Sequence, residues 1–269
     1  MYIVICQKNL CIENIHNTVS EILELNTYDN LELISVHIPK CGGTTFSNIL
    51  RRIYGDKYYR VTDISQLNDI DTNIRCMHGH YHFNPKWLKI YPNAKVCVWI
   101  RNPVDRLISY YYFWANFKFP FGTSPNKHHL ELLEKRYGLI EFAKKSWMKN
   151  KMFDFIENIS LQDIDFIGDI SNYDSDLRRL SKIMDWNDSL IQEYQVLNAN
   201  EYNQPIFGEK LNITKEDKEE LACILDQDIR RYEYITGYKD FKNNYWRYAT
   251  CKEKREWDKI VREKSYLPS

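Results

Sequence analysis

The amino-acid sequence predicts an α/β fold, a central parallel sheet covered by helices. Three observations carry that prediction. Short continuous apolar runs recur along the chain, as strands buried on both faces do. Amphipathic helical stretches fill the gaps between them. No repeat, low-complexity block or Pro/Gly/Ser-rich linker divides the 269 residues, so one domain over 1–269 is expected, with 245–269 as a charged helical tail docked through Trp246 and Trp257.

Strands are expected at 33–38 (LISVHI), 57–61 (KYYRV), 73–79 (NIRCMHG), 95–101 (KVCVWIR), 165–169 (DFIGD) and 194–199 (YQVLNA). Helices are expected between them. Residues 44–54 place Phe46, Ile49, Leu50 and Ile53 on one side, and residues 214–236 do the same with Leu221, Ile224, Leu225 and Tyr232. Thr214 and Asp217 have the spacing of a capping box. After the strand at 95–101, Asn102 is a good N-cap, Pro103 suits the first helical position and Asp105 favours the first turn, so a helix begins there.

Composition limits the function. Lysine plus arginine equals aspartate plus glutamate, 37 each, so no global field draws in nucleic acid or an anionic membrane, and any anion site must be local. No window approaches the run of about 18 apolar residues that a membrane span needs, and the start, MYIVICQKNLCIENIH, has too short an apolar run for a secretory signal. A cytoplasmic chain without a membrane span is the expectation. The seven cysteines (Cys6, Cys11, Cys41, Cys76, Cys97, Cys223 and Cys251) lack CxxC spacing and mostly sit in apolar runs. Such cysteines are expected to be reduced core residues.

In an open α/β sheet ligands lie beyond the carboxyl ends of the strands, and two turns there draw attention. In HIPKCGGTTF (37–46), Gly42 and Gly43 let consecutive N–H groups approach a ligand, the following helix directs its positive end to the same spot, and Lys40, Thr44 and Thr45 add a charge and hydroxyls. This is a cradle for a phosphate or a phosphate-like group. The lysine precedes the glycines, whereas the ATP-type loop places it after the last one. That order disfavours a nucleoside triphosphatase, though a nucleotide-dependent kinase on the same scaffold stays open, as does a non-catalytic nucleotide-binding module. In the second turn, RNPVDRLIS (101–109), Arg101 closes a strand and Ser109 lies on the same general side of the helix, so the two can clamp a second phosphate.

Between these turns, CMHGHYHF (76–83) alternates His78, His80 and His82, which an extended segment puts on one face. One of them can serve as a general base. Alternating histidines also ligate zinc, but no carboxylate or cysteine follows at a fitting spacing, so no metal is expected.

HIPKCGGTTF and IRNPVDRLISYYYF, with HGH between them, resemble the sulfotransferase superfamily, and within it the branch of uronyl and heparan sulfate 2-O-sulfotransferases. FIGDISNYDSDLRRL (166–180) is similar to a later segment of that family. The resemblance implies a P-loop-like three-layer sandwich and a co-substrate, 3'-phosphoadenosine-5'-phosphosulfate (PAPS), that leaves as 3',5'-ADP. It further implies that Lys40, Cys41, Gly42, Gly43, Thr44 and Thr45 hold the 5'-phosphosulfate, and that Arg101 and Ser109 hold the 3'-phosphate. His80, the second histidine of HGH, is then the base, with His78 supporting it or orienting substrate and His82 a further substrate contact. Lys40 is placed to neutralise the leaving phosphate. Cys41 stands where threonine or serine is common, and a thiol is a poorer donor. The implied acceptor is a hydroxyl of a glycan; a small phenol, a lipid or a peptidyl tyrosine stays open. The aromatic stretches at 110–119 and 82–87, and an expected surface loop from Phe119 to His129, are the candidates for acceptor contact.

Overall fold

A computed structural model of the chain describes residues 30–61, 73–116, 126–148, 152–187, 189–192 and 205–244. Strands β1 (Leu33–Val36), β2 (Tyr58–Val61), β3 (Cys76–Gly79), β4 (Lys95–Ile100) and β5 (Phe166–Asp169) form one sheet. All pairings are parallel and the order is β2-β3-β1-β4-β5. Every residue of β1, β3 and β5 is buried, whereas the edge strand β2 buries only Val61 fully. Strands covered on both faces are built mainly from side chains that lose little by leaving water, and the buried polar exceptions have partners, Ser35 with His78 and Asp169 with Tyr232 and the Ser171 N–H. The sheet is flanked by helices, making the α/β architecture the sequence predicts.

The longer helices are α1 (Gly43–Tyr54), α2 (Pro103–Asn116), α3 (Lys127–Lys135), α4 (Tyr173–Met184), α5 (Lys215–Ile224) and α6 (Asp226–Asn244). In α1, Phe46, Ile49 and Leu50 are at most 1% exposed, and each contributes about 1.5–3 kcal/mol by leaving water. These residues seat the helix against β2 and β3. Helix α2 starts where Asn102 Oδ1 accepts from the N–H of Val104 (3.0 Å) and of Asp105 (3.3 Å). Thr214 and Asp217 form a complete capping box on α5.

Three expectations change. The helix expected over 214–236 is two, interrupted at Leu225. Residues 127–129, expected in a loop, open α3, because the Asn126 side chain accepts from the N–H of His128 at 2.9 Å and caps a helix there. Cys41, Cys76 and Cys97 are buried thiols, but Cys223 is exposed. The expected strand at 194–199, the tail at 245–269 and the remaining cysteines lie outside the described residues. Among the described residues no helix is long and apolar enough to cross a membrane.

The sheet order positions the site. β1 lies between β3 and β4, with Val36 opposite Gly79 on one side and Val98 on the other, while Ile100 of β4 pairs with Asp169 of β5. The segments that leave these four strands (from His37, His80, Arg101 and Ile170) therefore emerge side by side at one edge.

Helix α6 is pinned to that edge from behind. Lys239 Nζ meets Asp176 Oδ2 of α4 at 2.6 Å with both side chains buried, the same carboxylate oxygen accepts from the Asp169 N–H at 2.7 Å, and Tyr232 donates its hydroxyl to Asp169 Oδ2 at 2.5 Å.

Candidate active site

The turn after β1 is bent by two residues with left-handed backbone, Lys40 (φ 69°) and Gly42 (φ 75°). Glycine takes that conformation freely; lysine does so at a cost that its surroundings must offset. Two guanidinium groups provide that bracing. Arg101 Nη1 donates to the Lys40 carbonyl at 3.3 Å, and Arg106 Nε donates to the Pro39 carbonyl at 3.1 Å. Gly42 also packs against β5's outgoing segment, where an added Cβ would lie 3.3 Å from Ile170 and 3.4 Å from Tyr173. Gly43 is needed for another reason: a Cβ there would fall 1.6 Å from His37 Nε2. Gly43, Thr44 and Thr45 form the first turn of α1, where helix geometry leaves the N–H groups without an acceptor inside the helix.

Lys40 presents its ammonium over the exposed ring of Phe113, 4.3 Å from the centroid. Burial and the Arg101 guanidinium lower its pKa to about 8. Burial is the larger cause; the part due to Arg101 marks positive potential, the environment in which an anion is stabilised.

Cys41 departs from the expected set. Its side chain is 1% exposed, its thiol faces the Pro39 carbonyl at 3.9 Å and its N–H is bonded to the Ile38 carbonyl at 3.2 Å. Burial pushes the thiol up to about 12, so it stays protonated. The bend at Lys40 turns Cys41 into the core, so neither its thiol nor its N–H is offered to a ligand. Ser109 lies on α2 with 1% exposure; a phosphate that is to meet its hydroxyl requires its neighbours to shift. Arg101 is half-buried at the mouth of the turn.

The three histidines of CMHGHYHF do not act as one face. His78 is buried within β3, where its Nδ1 is 2.8 Å from Ser35 Oγ. Burial, then the proximity of His80 and Arg60, lower its pKa to about 3 against a contact with the Gly43 backbone that raises it, so it is neutral. Its Nε2 makes no well-formed hydrogen bond. His82 is exposed, stacks on Phe155 (centroids 5.1 Å, planes 8° apart) and bonds through Nδ1 to the Asp154 carbonyl at 2.8 Å. His80 keeps an exposed edge beside the turn, with Nδ1 2.8 Å from the His37 carbonyl. A carbonyl only accepts, so Nδ1 carries the hydrogen and the lone pair of neutral His80 sits on Nε2. Crowding by the protein lowers the His80 pKa, partly offset by that hydrogen bond and reinforced by Arg60. A ring neutral near pH 7 with a free Nε2 lone pair is equipped to take a proton.

Sequence reasoning missed His37 and Arg106. His37 stacks on both His78 (4.8 Å) and His80 (4.0 Å), and Arg106 braces the turn while 5% exposed. The clue to Arg106 was its place one helical turn after Asn102, on the side facing the sheet. His37 had none, because its neighbours come from a strand 43 residues away. Among the described residues, no group of three or more His, Cys, Asp or Glu side chains is arranged to hold a metal ion.

A sequence model described as the sulfotransferase family matches residues 24–243, a span that contains both turns and His37, His78, His80 and His82. The chain belongs to the sulfotransferase family. No curated protein matches it. Among solved structures, the mouse sulfotransferase SULT7A1 complexed with PAP is similar over 90% of this chain and 86% of its own, at 19% sequence identity and a TM-score of 0.35. Lys40 with the start of α1, and His80 beside them, lie at the same sheet edge.

Proposed function

We propose that the protein transfers the sulfuryl group of PAPS to a hydroxyl, with a glycan as acceptor. The observation that carries this reading is the 3.3 Å contact between Arg101 and the Lys40 carbonyl, because it brings the two anion-binding turns within the span of one nucleotide bearing phosphate at both ends. In this reading the N–H groups of Gly43, Thr44 and Thr45, the Thr hydroxyls and Lys40 receive the 5'-phosphosulfate. Arg101, with Ser109, receives the 3'-phosphate.

The acceptor oxygen attacks sulfur in line with the bridging oxygen of the phosphosulfate. Its proton passes to His80 Nε2, the new O–S bond forms as the bridging S–O bond breaks, and the released electron pair stays on the 5'-phosphate of 3',5'-ADP. Lys40 stabilises that developing charge, so the step needs no metal. His82, exposed and stacked on Phe155, is the acceptor contact. The glycan assignment rests on the branch resemblance alone.

Calorimetry with 3',5'-ADP against ADP tests the reading. At least about tenfold tighter binding of 3',5'-ADP, worth roughly 1.4 kcal/mol, is expected. Equal affinities would remove the 3'-phosphate clamp, and magnesium-dependent turnover of ATP would replace the reading by a kinase.

A further inference from the structure

We propose that His37 is a positioning residue whose ring and carbonyl together hold His80 with Nε2 turned outward as the proton acceptor. The inference deepens the proposed function and rests on it for the role of His80. His37 follows β1 and His80 follows β3, and the His37 N–H continues their ladder by donating to the Gly79 carbonyl at 2.8 Å. Register thus fixes the two residues as neighbours. The His37 carbonyl then takes the His80 Nδ1 hydrogen at 2.8 Å, which sets the rotation of the imidazole in its own plane. The His37 ring lies against the His80 ring, with centroids 4.0 Å apart and planes 24° apart, which sets the plane itself. A carbonyl alone leaves the plane free; a stacked ring alone leaves either nitrogen outward.

The stack is anchored inward. On its other contact the His37 ring meets His78 (4.8 Å, 18°), which is buried and tied to Ser35 Oγ at 2.8 Å. The same His37 ring occupies the space over Gly43 that a Cβ would fill. One side chain therefore touches both the first residue of α1, where the anion cradle begins, and the base. Moving either would move the other, which keeps the distance between donor and base constant.

The charged and titratable groups around this column are Arg60 from β2, Lys40 from the turn, His78 from β3 and Tyr58 from β2, whose ring faces His78 and whose hydroxyl burial keeps protonated. Arg60 and Lys40 are cations and His78 is neutral, so these neighbours offer His80 no anionic partner to hold it protonated. Burial, then the proximity of His78, His80, Arg60 and Lys40, lowers the His37 pKa well below 6.5. The His37 ring thus stacks as a neutral plane.

The test follows the ring nitrogens of His80 by NMR of imidazole-labelled protein, assigned with His80→Gln, alongside kinetics. In the wild type His80 is expected as the Nδ1-protonated tautomer. In His37→Ala the carbonyl remains and still sets the tautomer, but the stack that fixes the plane is gone, so the His80 ring should sample several orientations and its pKa should rise toward its ordinary value as the crowding is relieved. Transfer from labelled PAPS to desulfated heparan sulfate should then fall at least about tenfold in kcat, within the range general-base catalysis supplies. His37→Phe, a neutral plane of similar breadth, should restore the wild-type His80 spectrum and most of kcat.

An Nε2-protonated His80 in the wild type would overturn the proposal. So would a folded His37→Ala with the single ring orientation and kcat of the wild type, or a His37→Phe no better than the alanine variant. Should the alanine variant not fold, the wild-type and phenylalanine spectra decide. The tautomer is observed whether or not the protein uses PAPS, so failure of the functional reading and failure of this inference are separate results.

Discussion

Arg101, at the end of β4, donates to the carbonyl of Lys40 in the turn after β1, 3.3 Å away. The contact gives Arg101 two tasks if it also holds a 3'-phosphate, and the two can be separated kinetically. Arg101→Ala is expected to weaken 3',5'-ADP binding about 10- to 100-fold, the loss of a charge-assisted hydrogen bond worth roughly 1.5–3 kcal/mol. It should also lower kcat several-fold, because the Lys40 turn loses a brace. Lys40→Ala is expected to lower kcat by about 10² to 10³, the range for removing a group aimed at developing charge, with a smaller change in affinity. Calorimetry and steady-state kinetics on both variants measure this, and identical patterns in the two would refute the division of labour.

The pH dependence of kcat/KM should be bell-shaped, with each limb set by one side chain. His80 acts when neutral. Crowding by the protein around its inner edge holds its pKa below 6.5, so activity is retained through neutral pH and is lost only as pH falls through that lowered value. Lys40 acts when charged, and activity is lost as pH rises through about 8. The Arg101 guanidinium is one cause of that lowered value, so Arg101→Ala should move the alkaline limb to higher pH. In kcat itself the alkaline limb should lie higher still, since a bound phosphate stabilises the ammonium. An alkaline limb unmoved by Arg101→Ala would exclude Lys40 as its source.

Much of this arrangement is legible in the sequence where the signal is local. β1, β3, β4 and β5 announce themselves by mainly apolar runs because both faces are covered, and the Asn102 and Thr214 caps by residues whose side chains can meet free N–H groups. The turn's glycines are legible too, although their reasons differ: Gly42 supplies a left-handed bend, while Gly43 makes room for His37. The stack of His37 on His80 depends on β3 lying beside β1 with β2 outside them, and no window of sequence contains that order. Cys41 is hidden for a similar reason. An alternating pattern cannot show that a left-handed Lys40 turns the next side chain inward. The interruption at Leu225 has no glycine or proline to mark it, and the pairing of Lys239 with Asp176 spans 63 residues.

That last pair yields a prediction about stability. Lys239 and Asp176 are 6% and 5% exposed and 2.6 Å apart, so each ion depends on the other for the solvation it has lost. Lys239→Met keeps the length of the side chain and removes the charge. It leaves the Asp176 carboxylate with the Asp169 N–H and Arg179 (3.2 Å), which is less than its buried charge requires. The expected cost is about 3–5 kcal/mol, or a fall in Tm of roughly 6–20 °C for a chain of this size. Adding Asp176→Leu should recover part of this by removing the stranded charge, but not all, because the Asp169 N–H then has no acceptor and costs about 1–3 kcal/mol. Urea and thermal unfolding of the two variants measure both steps. A Tm for Lys239→Met within about 2 °C of the wild type, less than 1 kcal/mol on this scale, would mean that α6 is held to the site edge by Tyr232 and apolar packing rather than by the ion pair.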